Sequence, residues 1–222
     1  MKYKYILFDM GNTIVKNIIF DNKKALEKLY QIIDSNNINF DDFINVGIQI
    51  LNENFKNRDL TNIEIPYRDY IKLILDKFSI TNYDLEYLEL EMYKYSVIDE
   101  QIISIRDWLN NLINDGFELY VMSNATFSSN CLKYTLSKFG ILEFFCEVYS
   151  SADVIYRKPS KLFFYECEIV NKVDINKTIF VGNDEYFDQK FAQNIGVPFV
   201  LCKLGKCVFN NKNKDLKEIF KW

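Results

Sequence analysis

Five short apolar runs, each stopping abruptly at polar or small residues, constrain the fold of this chain more than any other feature. Runs rich in Ile, Val, Phe and Leu are typical of strands that are buried on both faces of a sheet. From the second run onward they alternate with helical patterns, which favours βαβ units with right-handed connections and a parallel sheet. The expected strands are residues 4–9, 117–123, 147–151, 178–182 and 198–202.

The segment between the first two runs has a different pattern. Over about a hundred residues, apolar side chains recur at helical spacing between turns rich in Asn and Asp. The sequence therefore predicts an α/β protein with a Rossmann-like, three-layer parallel sheet core, residues 1–15 and 104–222, and an inserted all-helical cap, residues 16–103. Further helices are expected at residues 127–139, 161–171, 187–195 and 214–221.

Composition and charge exclude several classes of protein. The 222 residues carry a formal net charge of −4 and no dense Lys/Arg block, which argues against nucleic-acid binding. The absence of histidine excludes Ser-His, Cys-His and histidine-metal chemistry, and the five cysteines show no metal-ligand spacing. Asp9 interrupts the first apolar run too early for a signal peptide or a membrane span. We expect a cytoplasmic protein that binds no membrane, as a monomer or a homodimer.

Polar side chains occupy the places where the expected strands end. Ligands of open parallel sheets bind in the crevice outside the carboxyl ends of the strands, so these side chains are candidates for a functional site. Each could instead cap a helix, form an Asx-turn or lie on a solvated surface. The candidates are Asp9, Ser123, Asn124, Lys158, Asn183, Asp184 and Asp188.

The chemistry of this set suits phosphoryl transfer. The carboxylate of Asp9 can attack phosphorus and form an acyl-phosphate that water later hydrolyses, which divides one hard displacement into two easier ones. Such a site gathers negative charge, and Mg²⁺ would neutralise it. The expected ligands are Asp9, the Gly11 carbonyl and an oxygen from the group Asn183, Asp184 and Asp188.

The remaining candidates would hold the transferring group. Lys158 would bind the phosphoryl oxygens and the nucleophile, while Ser123 and Asn124 would donate hydrogen bonds. Backbone amides of the turn after Asp9 would donate further hydrogen bonds to the substrate. That turn contains Gly11, Asn12 and Thr13.

Four sequence motifs in this order resemble those of the haloacid dehalogenase-like hydrolase superfamily. FDMGNT resembles the first motif of that family, YVMSN the second, RKPS the third and IFVGNDEYFD the fourth. The helical insertion lies where its C1-capped phosphatases and dehalogenases carry their cap. The resemblance implies the same assignment of roles: a Mg²⁺-dependent phosphatase of a small phosphorylated metabolite, with an aspartyl-phosphate intermediate on Asp9.

The chain departs from the family pattern at two positions. Phosphatases of the family usually have a second Asp, a general acid and base, where this chain has Gly11, although some resemble it in carrying Gly-Asn there. Losing such an acid typically costs on the order of a hundredfold in rate, and less when the leaving group is a weak base. The sequence VGND has Asn183 where an acid often follows glycine, so either Asn183 or Asp184 would be the metal ligand, with Asp184 favoured for its charge.

Two other functions remain open from the sequence. A metal-independent 2-haloacid dehalogenase would also lack the second Asp and carry a Ser-Asn pair, but it needs a cap arginine, for which Arg58 and Arg68 are candidates. A non-catalytic domain with this fold is the third hypothesis, against which Asp9, Ser123 and Lys158 argue. We also expect the cap to close as a unit on linkers near residues 15–20 and 99–104.

Overall fold

A mostly parallel sheet forms the centre of the protein. The structure is a computed structural model that describes residues 2–33, 35, 37–55, 61–208 and 216–220. Its strands are β1 (Tyr5–Phe8), β2 (Val15–Phe20), β3 (Val97–Gln101), β4 (Glu118–Ser123), β5 (Phe145–Ser150), β6 (Thr178–Gly182), β7 (Phe199–Lys203) and β8 (Lys206–Val208). Within the described ranges, six strands pair in the order β5-β4-β1-β6-β7-β8, all parallel except the β7–β8 hairpin. The expected α/β class with a parallel sheet is confirmed.

Helices cover the sheet and fill the insertion. Those between β2 and β3 whose bounds lie in the described residues are α1 (Asn22–Ile32), α2 (Phe40–Phe55), α3 (Tyr67–Lys77) and α4 (Leu85–Ser96). Those after β3 are α5 (Ile105–Asn114), α6 (Ser129–Lys138), α7 (Ser151–Val154), α8 (Leu162–Tyr165) and α9 (Lys190–Ile195). In the described part of the chain, no helix combines the length and apolar character that crossing a membrane requires.

Alternation along β1 explains why both faces of the sheet are covered. Ile6 and Phe8 point to one face and pack in a cluster with Trp108 of α5. Leu7 points to the other face and packs in a cluster with Phe163 of α8. Successive side chains of a strand alternate between faces, so a continuous apolar run requires helices on both sides. This three-layer arrangement leaves the carboxyl end of β1 as the open edge of the sheet.

Strands, and not only helices, form the ends of the insertion. The expected linker at residues 15–20 is strand β2, which pairs antiparallel with β3. The all-helical description of residues 16–103 is therefore wrong at both ends. Both segments contain β-branched residues, such as Ile19 and Ile98, which lie opposite each other in the ribbon and favour extended backbone.

A third connection joins the insertion to the sheet domain. Ile63 pairs with Tyr156 in an isolated antiparallel bridge, and the amide of Glu64 donates to the Ile155 carbonyl at 2.7 Å. The buried side chain of Glu64 lies 3.2 Å from the Arg157 guanidinium. These contacts lie far along the chain from the ribbon, so the cap is held at more than its two ends.

Two expected helices differ from the observed structure. The segment 161–171 divides into α8 and a 3₁₀ turn, Glu168–Asn171, because the backbone of Cys167 is extended between them. This break lets Phe163 and Ile169 bury in the same cluster. The expected helix 214–221 lies partly outside the described residues, and its described part, 216–220, is a turn.

Candidate active site

Asp9 lies at the carboxyl end of β1, where the sheet opens. Its amide donates to the Val181 carbonyl at 2.8 Å, which extends the pairing of β1 with β6 by one step. Its side chain is 11% exposed and is held on both oxygens, since Thr13 Oγ1 donates to Oδ2 at 2.9 Å and Lys158 Nζ to Oδ1 at 2.7 Å. The carboxylate is therefore fixed in orientation, and it lines a cavity that a ligand could enter.

Lys158 joins two carboxylates. Its Nζ lies 2.7 Å from Asp9 Oδ1 and 2.7 Å from Asp188 Oδ1, and the side chain is 1% exposed. Burial alone lowers the pKa of Lys158, but the charges of Asp188 and Asp9 outweigh it and hold the pKa above its ordinary value. The group of two carboxylates and one ammonium therefore keeps a surplus negative charge, which a divalent cation can neutralise.

Asp188 braces the loop after β6. It lies in the π-helical turn Glu185–Gln189, and its Oδ2 accepts hydrogen bonds from the amides of Asn183 at 3.0 Å and Asp184 at 3.1 Å. Burial, followed by the charge of Asp9, raises the pKa of Asp188 to about 6. A Cβ at Gly182 would lie 2.6 Å from the Asp188 Cβ, so this approach requires glycine.

The side chain of Asn183 faces two oxygens, the Gly11 carbonyl and Asp9 Oδ2. With its nitrogen toward them, its side-chain amide donates to the Gly11 carbonyl at 3.0 Å and to Asp9 Oδ2 at 3.1 Å. A half-turn of the amide would present its oxygen instead, so that three oxygens would converge on one point. Carboxylate, amide and carbonyl oxygens are the ligands that Mg²⁺ prefers, so this donor set fits the cation. Within the described residues, no group of three or more His, Cys, Asp or Glu side chains could hold a metal ion, so the amide and carbonyl oxygens are needed to complete this donor set.

Asp184 has a different local partner. Its Oδ1 accepts hydrogen bonds from the amides of Tyr186 at 2.8 Å and Phe187 at 2.7 Å, which makes it the N-cap of the following turn. The geometry therefore favours Asn183 over Asp184 beside Asp9 and Gly11, in contrast to the preference drawn from charge.

Ser123 and Asn124 reach the cavity from the end of β4. Ser123 is 6% exposed and lines the cavity. Asn124 donates through Nδ2 to the Lys158 carbonyl at 3.0 Å and accepts from the Lys158 amide at 2.8 Å. Asn124 thus holds the backbone that carries the lysine, a positioning role that sequence reasoning did not assign.

The turn after Asp9 is braced by the β7–β8 hairpin. Asn12 has a positive φ of 55°, and its carbonyl accepts from the Leu204 amide at 2.7 Å. The carbonyl of Thr13 accepts from the Gly205 amide at 3.1 Å. Gly11 lies outside the left-handed region, and a Cβ there would meet only Ile18 Cδ1, at 4.0 Å. The space around Gly11 would therefore accept a Cβ, so steric hindrance does not explain why this chain lacks an acid at position 11.

A cavity of about 540 Å³ extends from the candidate site toward the insertion, and Asn12 and Thr13 do not line it. The candidate residues that line it are Asp9, Gly11, Ser123, Asn124, Lys158, Asn183, Asp184 and Asp188. Its wall includes five aromatic side chains: Phe20, Tyr67, Tyr93, Phe127 and Phe187. The Tyr, Phe and Leu stripes of the insertion predict mostly helix-bundle core with a minority of residues lining a cleft, but the sequence does not show which residues these are. Arg157, next to the candidate lysine in the sequence, also lines the cavity.

Arg68, the candidate cap arginine that the structure describes, is not among the residues that line this cavity. Arg68 lies 3.3 Å from Glu86, 3.8 Å from Glu89 and 3.7 Å from Asp153. Arg58 lies outside the described residues. Among the described cap residues, none therefore brings a guanidinium to the cavity wall.

Comparison with known proteins identifies the family. The family model of haloacid dehalogenase-like hydrolases matches residues 6–202. No curated protein is similar enough in sequence to count as a relative.

Several solved structures share the fold. A HAD phosphatase from Thermococcus onnurineus is 19% identical, with 89% of this chain and 85% of that chain covered and a TM-score of 0.52. A HAD family enzyme from Bacteroides thetaiotaomicron is 16% identical over 100% of both chains, with a TM-score of 0.57. The L-2-haloacid dehalogenase from Xanthobacter autotrophicus is 17% identical, with coverage of 89% and 76% and a TM-score of 0.50. At such identities the likeness concerns the fold, whereas the family model spans most of the sequence, so the chain belongs to the haloacid dehalogenase-like hydrolases.

Proposed function

We propose that this hydrolase is a Mg²⁺-dependent phosphatase of a small phosphorylated metabolite. The observation that carries the proposal is the convergence of the Asn183 side-chain amide on the Gly11 carbonyl and Asp9 Oδ2, at 3.0 and 3.1 Å. In this proposal Asp9, the Gly11 carbonyl and the Asn183 amide oxygen hold Mg²⁺. The bound cation would neutralise negative charge and polarise a phosphoryl oxygen.

The residues of the chain supply the remaining steps of this mechanism. Asp9 attacks phosphorus, the bond to the leaving oxygen breaks, and water then hydrolyses the acyl-phosphate. Lys158 keeps Asp9 oriented and is placed to stabilise the charge of the transferring group, and Asn124 fixes the backbone of Lys158. Ser123 is the candidate for a further hydrogen bond to the phosphoryl oxygens.

A 2-haloacid dehalogenase is the second candidate function. The glycine at position 11 and the Ser123-Asn124 pair favour it, since such enzymes lack a second Asp. Against it, none of the described cap residues that line the cavity is charged, and a substrate carboxylate needs a cation at that end. A non-catalytic domain is disfavoured by the two ion pairs that keep Asp9 and Asp188 oriented around Lys158.

The decisive experiment is a substrate panel. Phosphorylated metabolites, acetyl phosphate and 2-chloropropionate should be assayed with Mg²⁺ and with EDTA. We expect phosphate release that requires Mg²⁺ and no release of chloride. Chloride release that survives EDTA would instead establish the dehalogenase, and inactivity on every compound would support a binding domain.

A matched pair of variants tests the metal ligand. Asn183→Ala should raise the Mg²⁺ concentration needed for half-maximal activity by about tenfold or more, because one of three protein ligands is lost. Asn176→Ala, in the turn before β6, should leave it unchanged, because Asn176 bonds only locally to Asp174. Equal Mg²⁺ dependence of both variants would contradict the proposed ligand set.

A further inference from the structure

We infer that the substrate is an aryl phosphate, a monoester of an uncharged aromatic alcohol; this rests on the proposed phosphatase function. Two independent features of the cavity carry the inference. One is a set of aromatic side chains that line the same cavity as the nucleophile, and the other is the glycine that stands at position 11, where phosphatases of the family usually carry an acid.

The aromatic wall consists of Phe20, Tyr67, Tyr93 and Phe127, which line the same cavity as Asp9. Phe127 lies at its centre, with ring centroids at 4.3 Å from Phe20, 4.5 Å from Tyr67 and 4.9 Å from Tyr93. Aromatic rings at such distances prefer tilted and edge contacts, and a further ring can pack against them in the same way. The wall therefore suits a flat aromatic group.

The hydroxyl groups of the wall have partners of their own. Tyr67 Oη donates to Asn22 Oδ1 at 3.3 Å, and Tyr93 Oη lies 3.0 Å from Thr135 Oγ1. Burial raises the pKa of both tyrosines, so they stay neutral. Tyr67 and Tyr93 are each 1% exposed and Phe127 is 8% exposed, so the partly buried Phe20 offers most of the accessible ring surface of this uncharged wall.

Charge is distributed unequally around the cavity. The cap residues that the structure describes contribute Ile18, Phe20, Asn22, Tyr67 and Tyr93 to its wall, none of them charged. The charged side chains of the described wall belong to loops of the sheet domain. Of these, Arg157 is paired with the buried carboxylate of Glu64. A leaving group that carried its own charge would meet no opposite charge among these described cap residues, so an uncharged one fits better.

The leaving group must also depart without help from an acid at position 11. A phenol has a pKa of about 10, so phenoxide is a far weaker base than an alkoxide and can leave unprotonated. Asp9 would form its bond to phosphorus as the bond from phosphorus to the aryl oxygen breaks. The phenoxide would keep that electron pair and take a proton from water, and a second water would release phosphate from Asp9.

A choline ester also suits an aromatic wall, but its alkoxide is a poor leaving group and the wall holds no carboxylate.

Four substrates separate the two features. Phenyl phosphate has a ring and a weakly basic leaving group, benzyl phosphate has only the ring, acetyl phosphate has only the weakly basic leaving group, and cyclohexyl phosphate has neither. We expect kcat/KM with Mg²⁺ to be highest for phenyl phosphate, lower for benzyl phosphate and acetyl phosphate, and lowest for cyclohexyl phosphate. Hydrolysis of acetyl phosphate combined with equal rates for benzyl and cyclohexyl phosphate would overturn the inference and leave the phosphatase intact. A preference for phosphocholine over phenyl phosphate would also overturn it, whereas inactivity on all of them would remove the proposed function as well.

Binding provides a readout that does not depend on turnover. Phenylphosphonate should bind more tightly than methylphosphonate in calorimetry. Phe20→Leu should reduce this preference, and the rate ratio of phenyl phosphate to acetyl phosphate, by about three- to tenfold. Phe78→Leu is the matched control, since Phe78 is a partly buried cap aromatic that packs on Phe43 at 5.1 Å and does not line the cavity. Equal effects of the two variants would overturn the role of the wall.

Discussion

At the scale of single residues, Lys158 organises the candidate site. Its ammonium group lies between two carboxylates, one at the end of β1 and the other after β6. Because the side chain is buried, these contacts are shielded from solvent and stay strong. The lysine therefore sets where Asp9 points before any substrate arrives.

The first prediction concerns the nucleophile. Asp9→Asn should lower kcat by roughly a thousandfold or more, because an amide of nearly the same shape cannot attack phosphorus. The fold should survive, since Lys158 keeps its contact with Asp188. Steady-state kinetics and circular dichroism of the pure variant check both parts. Asp107→Asn, in the first turn of α5, is the control and should keep full activity; unchanged turnover in Asp9→Asn would refute the mechanism.

The second prediction concerns the position of the missing acid. Gly11→Asp should raise activity on benzyl and cyclohexyl phosphates relative to phenyl phosphate, because poor leaving groups gain most from a proton donor. The change is sterically feasible, since a Cβ there would lie 4.0 Å from its nearest neighbour. Gly11→Asn adds the same bulk without an acid and should not change the ratio. An equal response to both substitutions would show that the proton comes from elsewhere.

Competition for local hydrogen bonds explains what sequence reasoning missed among these residues. The sequence correctly grouped Asp9, Lys158 and Asp188, because the ends of parallel strands must meet at one edge. It could not decide between Asn183 and Asp184. Only the backbone path of the loop shows that two amides capture the Asp184 carboxylate.

At the scale of secondary-structure elements, the cap is attached to the sheet domain at several places. Besides the β2–β3 ribbon, the Tyr67 amide donates to the Thr126 carbonyl at 2.7 Å and the Arg157 amide to the Asn62 carbonyl at 3.1 Å. The expected closure of the cap on its linkers stays a prediction. Any such movement would have to break these bonds or carry their partners along.

The third prediction concerns Glu89 of α4, which is buried where the cap meets the sheet domain. Its Oε2 accepts from Ser128 Oγ at 2.6 Å and its Oε1 from the Ser128 amide at 3.1 Å. Burial raises the pKa of Glu89, although these bonds oppose the shift. A carboxyl with a higher pKa in the folded state binds more protons there, so its contribution to stability is fully present below the unfolded pKa. That contribution is lost as pH rises through the folded pKa.

The corresponding measurement is urea unfolding at several pH values, from about pH 4 to about pH 8. Relative to Glu89→Gln, the free energy of unfolding of the wild-type protein should fall as pH rises through this window. Glu86→Gln is the control, because Glu86 is 70% exposed in its side chain and contacts the same Arg68. Parallel pH profiles for wild type and Glu89→Gln would contradict the expectation.

Helices and strands could be predicted from the sequence where a single periodicity of apolar residues dominates a segment. The strand at residues 178–182 has the expected bounds, because its whole run is buried and ends at glycine. The β2–β3 ribbon and the break in the helix expected at residues 161–171 could not be predicted, because short β-branched or mixed runs are compatible with both helix and strand. In both cases tertiary contacts decide, and they come from residues far away in the sequence.

At the scale of the whole molecule, the cap and the sheet domain share apolar packing. The cluster that fills the cap includes Phe127 and Cys131, which belong to the segment around α6 after β4.

The fourth prediction is therefore a single cooperative unfolding transition. In calorimetry the measured enthalpy should match the van 't Hoff enthalpy, and two resolved transitions would show that the cap folds by itself.

The hairpin turn that contacts Asn12 and Thr13 has a consequence for engineering the end of the chain. The family model stops at residue 202, so a designer would regard the residues beyond it as free to change. Because the amides of Leu204 and Gly205 hold the loop beside the nucleophile, lengthening this turn by two glycines should lower kcat by roughly tenfold to a hundredfold. The same insertion at the Asp115–Gly116 turn should leave kcat unchanged, and an equal loss from both insertions would indicate general destabilisation. The catalytic competence of the first loop would thus depend on a stretch of sequence that family comparison does not cover.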